Sequence, residues 1–248
     1  MKLFSLAFSG GIGILCVVWT AITLARGEFL TAIVVFGFAV SCVGLAATLI
    51  RVRLGRVAPR GTFDAAGTTI RPDRGVEVLA QTMSLAAVVS MGLFAIFAPV
   101  GKLDIPMPAA RHFYLVYLPF VAAAGAVTGA LIMWRAYRRG GPTSYLRLTP
   151  EGFEFTEGLW SSVGHGGWGE VNEVTDRQPD SRPPPRSAIV MVMSDGQNHT
   201  LPTADAYTRG GEALRQMVRF YWQHPEDRAE LTDGRALARL SSNDFKAD

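Results

Sequence analysis

Four histidines, two cysteines and one glycine-rich stretch are the residues of this 248-residue chain best suited to chemistry. His165, in Gly164-His165-Gly166-Gly167, invites most attention. An imidazole changes charge near neutral pH, and glycines let a ligand approach the backbone. Yet His165 has no second His or Cys at metal-ligand spacing and no serine or cysteine nucleophile motif around it, so it reads as a flexible hairpin tip. Cys16 and Cys42 form no CxxC and lie in apolar stretches, where they read as small packing residues. The chain holds no GxxxxGK[ST] and no GxGxxG following a strand. Asp64, Asp73, Glu170 and Glu173 read as ordinary surface or turn carboxylates. These residues predict no catalytic site, no metal and no cofactor.

Binding is the alternative to catalysis, and two groups of residues could carry it. Trp160 and Trp168 flank the glycine-rich stretch and are candidates for an exposed aromatic hot spot, with core packing the competing role for at least one. Arg51, Arg53, Arg56, Arg135, Arg138 and Arg139 stand at the ends of apolar stretches, where they could form a basic collar for anionic headgroups. The net charge of +3 comes mostly from such arginines. They make no broad basic face of the kind nucleic-acid binding needs, so nucleic acid is not expected as a partner.

The elements that would position these residues are dominated by a membrane pattern. Residues are 49% hydrophobic and 18% charged. The windows 3–24, 29–50, 79–100 and 113–134, each 22 residues long, contain no Asp, Glu, Lys or Arg. A helix needs roughly 20 apolar residues to cross the hydrocarbon core of a bilayer. Four transmembrane helices are therefore expected, the first as an uncleaved span rather than a signal peptide. Small residues recur at helical spacing: Ser9 and Gly13, Gly37 and Ser41, Gly125 and Gly129. Such pairs let helices pack closely, either within one bundle or between copies. Pro99 and Pro119 near the span ends can stop or kink a helix. No ionisable residue lies within the windows, so no transport path announces itself.

Flanking charge gives an orientation. Lys2, the arginines of loop 51–78 and Arg135, Arg138 and Arg139 fall on one side, ten basic residues against Arg26, Lys102 and Arg111 on the other. Both termini are expected in the cytoplasm, with the protein multi-pass in the plasma membrane. His112 then lies on the opposite face from the other three histidines.

Beyond the spans the hydrophobic period changes from helix to strand. Tyr145-Leu146-Arg147-Leu148-Thr149 alternates, Pro150-Glu151-Gly152 reads as a turn with Gly152 at positive φ, and Phe153-Glu154-Phe155-Thr156 alternates again. Further strands are expected at 171–175, 188–193 and 199–202, the last two joined at Asp195-Gly196. The proline-rich run 177–186 reads as a surface loop. Leu214, Met217, Val218 and Tyr221 make a helical stripe, and a second short helix is expected over 231–240. In the loop between the second and third spans, Thr62–Arg71 echoes the first C-terminal hairpin. It either forms a hairpin docked on the C-terminal strands or stands as an independent loop.

The order of these elements, with Leu148-Thr149-Pro150-Glu151-Gly152 and Trp168-Gly169-Glu170-Val171, resembles bacterial pleckstrin-homology-like (PH-like) domains attached to membrane helices in actinobacterial-type proteins. The resemblance covers residues 145–223. It implies a β-barrel or sandwich capped by an α-helix, used for binding or scaffolding without a catalytic site. The expected organisation is thus a membrane α-helical bundle (1–140, with cytoplasmic loop 51–78), a C-terminal PH-like domain (141–241) and a polar tail (242–248). The function expected is a non-enzymatic, membrane-anchored scaffold or regulatory protein, acting through a protein partner or as a homo-oligomer. An anionic-lipid-interacting protein is the alternative, and a transporter or channel accessory subunit is a weaker one.

Overall fold

The chain's four apolar windows all become helices in a computed structural model that describes residues 2–104, 112–138, 144–157, 162–176 and 187–245. They are α1 (Lys2–Ala25), α2 (Phe29–Arg53), α3 (Arg74–Phe97) and α4 (Leu118–Arg138). All four are long and apolar enough to cross a membrane. A π-helical turn, Phe113–Tyr117, leads into α4. It widens the helix just ahead of Pro119, which has no N–H to give to an α-helical partner. The third helix starts earlier than its apolar window because Asp73 caps it, as described below.

The chain divides into two compact units, Met1–Ile50 with Val78–Gly140 and Arg51–Glu77 with Gly141–Asp248. The first is the helical one. Small residues stand where its helices approach. A methyl group at Gly13 would meet Val43 Cγ2 at 3.0 Å, and one at Gly44 would meet Met83 Cβ at 3.0 Å. One at Gly37 would collide with Ser90 Oγ, one at Gly125 would meet Met91 Sδ at 3.0 Å, and one at Gly129 would reach Val88 Cγ2 at 2.5 Å. Contacts thus run from α1 to α2, α2 to α3 and α3 to α4. The Ser41 hydroxyl lies 2.9 Å from the Gly37 carbonyl oxygen and 3.0 Å from that of Met83 on α3. Ser9 satisfies its hydroxyl within α1, on the Ser5 carbonyl at 2.7 Å. Large side chains such as Phe36, Ile96 and Phe120 point outward, as a lipid-facing surface does.

The second unit is built of strands and short helices. β1 (Arg60–Asp64), β2 (Gly67–Arg71), β3 (Tyr145–Leu148), β4 (Gly152–Glu157) and β5 (Ser162–Gly167) form one antiparallel sheet in sequence order. β6 (Val171–Thr175), β7 (Ile189–Met193) and β8 (Asn198–Leu201) form a second. α5 (Glu212–Gln223) and α6 (Arg235–Ser242) follow. Ile70, Leu146, Phe155, Met191, Leu201, Leu214 and Tyr221 belong to one core, to which both sheets and α5 contribute.

The hairpin between the second and third helices is present, and it is part of this unit. β1 pairs with β2 from Arg60↔Arg71 to Asp64↔Gly67, and β2 pairs with β3 through Thr69↔Arg147. Residues 51–77, grouped in the sequence with the spans, therefore cluster with the C-terminal region. Ile70 enters the common core, the buried Thr68 hydroxyl donates to the Leu231 carbonyl at 2.6 Å, and Arg147 Nη2 bridges both Asp64 oxygens at 2.9 Å. Gly67 allows the close pairing, since a Cβ there would lie 2.3 Å from the Leu148 carbonyl oxygen.

Three local expectations need correction. The glycine-rich stretch around His165 is strand β5 rather than a hairpin tip, because its glycines let β5 lie against the Phe155 ring and Met193. Gly152 does not take positive φ. It is needed because a Cβ would come within 2.1 Å of the Gly166 carbonyl oxygen. The helix expected over 231–240 begins only at Arg235, since Gly234 at φ +88° separates it from a 3-10 segment, Pro225–Thr232.

Candidate functional site

The strands bring His165 and His199, 34 residues apart in sequence, to one cleft. It measures about 690 Å³ and is lined by the β3–β4 turn, β4, β5, the segment after β5 and the β7–β8 turn. His165 stands opposite Glu154 across the β4–β5 pair. His199 meets Phe153 and Phe155 edge-on, with ring centroids 6.1 and 6.5 Å apart. Glu151, Glu154, Glu170 and Asp195 add four carboxylates, and among the described residues no Lys or Arg lines the cleft.

Several of those carboxylates already have work. Glu154 accepts a short hydrogen bond from the Tyr145 hydroxyl, which, with some burial, pushes the Tyr145 phenol up from its ordinary value. Glu170 Oε2 accepts the Gly167 N–H at 3.0 Å, and Asp195 Oδ1 accepts the Gln197 N–H at 2.8 Å. Among the described residues, neither His165 nor His199 has a hydrogen-bond partner on its ring, so no third group orients either as a base. Nor do three or more His, Cys, Asp or Glu, among the described residues, come close enough together to hold a metal ion. The cleft can offer acidic and imidazole side chains beside β5 and β8, which among the described residues stand at the ends of their sheets.

Trp168, expected as an exposed aromatic, is 2% exposed and fills the core role that competed with it. Its Nε1–H donates to the Thr149 carbonyl at 2.8 Å, and the Arg228 guanidinium lies 5.4 Å from its ring centroid. Burial holds the Arg228 guanidinium below its ordinary value. Arg228 also donates to the carbonyls of Tyr221 and Trp222, at the end of α5. Trp160 lies outside the described residues, as does Arg139.

The other collar arginines divide. Arg51, Arg53 and Arg56 belong to the sheet unit, Arg135 and Arg138 to the helical one. Arg135 is exposed, and Arg138 stacks over Trp134 at 4.5 Å. Arg51 is not free for a headgroup, because its Nε donates to Asp73 Oδ1 at 2.9 Å. Asp73 itself is the residue the sequence reading undervalued. It is 5% exposed, and it caps α3 by accepting the N–H groups of Gly75 and Val76 at 2.9 and 3.2 Å. Its other oxygen accepts the Ala58 N–H at 3.2 Å, and its own N–H donates to the Ala206 carbonyl at 2.9 Å. Burial alone would raise its carboxyl, but Arg51 and the N–H groups of Ala58 and Val76 outweigh that and hold it below the usual range. Pro72-Asp73 ahead of an apolar helix was the available signal for this cap.

A second buried carboxylate, Glu230, accepts two hydrogen bonds from Arg239, at 2.7 and 3.0 Å, and one from the Tyr221 hydroxyl at 3.2 Å. Burial first, then the negative charge of Glu230, pushes the Tyr221 phenol far above its ordinary value. This network lies between α5, the 3-10 segment and α6, away from the cleft, and its role is to hold those elements together. In the helical unit, an apolar groove of about 310 Å³ is lined by Val17, Phe36, Val43, Leu79 and Met83. Its lining is apolar apart from the Thr82 hydroxyl.

Comparison with known proteins adds no relative to this geometry: no family model, no curated protein and no solved structure matches the chain.

Proposed function

We propose that this protein is a non-enzymatic membrane-anchored scaffold, whose sheet unit presents a docking cleft on the cytoplasmic side of the plasma membrane. The observation that carries the reading is the shared construction of that unit. Its first two strands come from the segment between α2 and α3, and the rest follows α4. The unit is therefore tied by short stretches of chain to three apolar helices rather than to one flexible linker. Such an arrangement suits a surface held at the membrane to receive a partner. It gives an enzyme less, since among the described residues the two cleft histidines have no hydrogen-bond partner to orient them. The two sheets and α5, with their common core, support a PH-like barrel closed by that helix. Charge flanking the spans supports cytoplasmic termini.

Photo-crosslinking in cells tests the reading. A crosslinking amino acid placed at Glu154 or Gln197 in the cleft should capture one discrete partner, or a second copy of the chain. The same group at Thr62 on β1 should not. A protein that purifies in mild detergent as a lone monomer, with no adduct from either cleft position, would refute the scaffold reading.

A further inference from the structure

Arg209 is the basic residue whose position no sequence pattern announces. It follows the second sheet as the exposed first residue of a 3-10 turn, Arg209–Gly211, yet its side chain lies across Gly55. A Cβ at Gly55 would come within 2.6 to 2.8 Å of Arg209 Nε, Cγ and Cδ. Gly55 stands just beyond the end of α2, at φ +62°. There the N–H groups of Gly55 and Arg56 cap the carbonyls of Val52 and Arg51 at 3.1 Å, a Schellman turn that requires a left-handed residue. The Asp73 N–H to Ala206 carbonyl bond fixes the chain leading to Arg209 beside the start of α3.

Arg53 and Arg74 are the last and first residues of two candidate membrane spans. Gly55 and Arg56 lie two and three residues past the first of these, so they remain near the level of the span end. Arg209, held against Gly55, shares that level. Arg53, Arg56, Arg74 and Arg209 are all exposed, and none makes an ion pair among the described residues. Two carboxylates at the start of α3 are used elsewhere: Asp73 takes Arg51, and Glu77 takes Arg60 at 3.0 Å. A guanidinium binds a phosphate through paired N–H donors. Four of them at a span end, without acidic partners, fit the phosphodiesters of an anionic membrane.

We propose that Arg53, Arg56, Arg74 and Arg209 form a binding site for anionic phospholipid headgroups, with Arg209 positioned across the glycine that ends α2. This rests on the membrane-anchored part of the proposed function and not on the docking cleft.

The test uses the full chain purified in a non-ionic detergent, with short-chain phosphatidylglycerol, short-chain phosphatidylcholine and inorganic phosphate as probes. Wild type should bind phosphatidylglycerol at least tenfold more tightly than either other probe. R209Q and R74Q should each weaken that binding about fivefold, the effect of removing one arginine near an anionic surface. R219Q, an exposed arginine on α5, changes charge equally and should leave binding within twofold. R209Q should also retain the wild-type melting temperature, and if it does not, R74Q decides. Equal binding of the two lipids, phosphate binding as tight as phosphatidylglycerol, or R219Q as damaging as R209Q would overturn the proposal. The cleft crosslinks should survive R209Q, so failure here and failure of the scaffold reading are separable.

Discussion

Replacing Asp73 by alanine should loosen the sheet unit more than any other single change of a carboxylate near the spans. The substitution removes the α3 cap, worth about 1 kcal/mol, and the hydrogen bond from the Ala58 N–H, worth roughly a further 0.5–1.5 kcal/mol at this exposed residue. The Arg51 pair contributes little beyond this, because Arg51 is 39% exposed in its side chain. A total of roughly 1.5–2.5 kcal/mol would lower the melting temperature by roughly 4–8 °C for a unit of this size. Unfolding in detergent, followed by the fluorescence of the buried Trp168, reads it. D73N keeps a capping oxygen and should recover at least half of the loss, since Asn caps about as well as Asp. The held-down carboxyl of Asp73 adds a pH signature. Its contribution is fully present above the unfolded value of about 3.9 and is lost as pH falls through the lower folded value. Wild type should therefore lose its advantage over D73N only below about pH 4. A D73A protein melting within 2 °C of wild type, or D73N falling as far as D73A at neutral pH, would refute the reasoning.

Other substitutions address separate parts of the account. E230Q leaves Arg239 with a weaker partner and should cost roughly 2–3 kcal/mol, the low side of a broken buried pair because Arg239 is partly exposed. Y221F should cost about 1 kcal/mol, and chemical denaturation measures both. G129V drives a side chain into Val88 and should destabilise the helical unit by about 1–3 kcal/mol, read as unfolding in increasing SDS. G67A places a methyl against the Leu148 carbonyl in a strained left-handed residue. It should expose the amides of β2 and β3 to hydrogen exchange while those of β6 and β7 stay protected.

Periodicity made the four helices and most strands readable, because charge-free windows and alternation are local signals. The cleft was not readable. His165 and His199 are neighbours only through the pairing of β4 with β5 and the return of β8. Glycine was misread twice for one reason: at Gly152 and Gly164 the demand is for space against another strand or ring, which single-sequence reasoning takes for flexibility. Asp73 looked like a turn residue because its value lies in five partners, of which Arg51, Ala58 and Ala206 are set by tertiary structure. Arg209 carried no signal at all, since its contact with Gly55 joins segments more than 150 residues apart. Trp168 shows the opposite case. Its type suggested a surface hot spot or a core residue, and packing against Phe153, with centroids 6.0 Å apart, puts it in the core.

The central claim is that β1 and β2, from the segment between α2 and α3, share one sheet with β3, β4 and β5, which follow α4, on one side of the membrane. Paired cysteines test it most directly. In a chain with Cys16 and Cys42 replaced by serine, T69C and R147C occupy facing positions of β2 and β3. Mild oxidation of intact membranes, followed by digestion and mass spectrometry, should find them disulfide-linked in most molecules, with T62C and R147C linked far less. A Thr69–Arg147 pair that links no better than that out-of-register control would contradict the account.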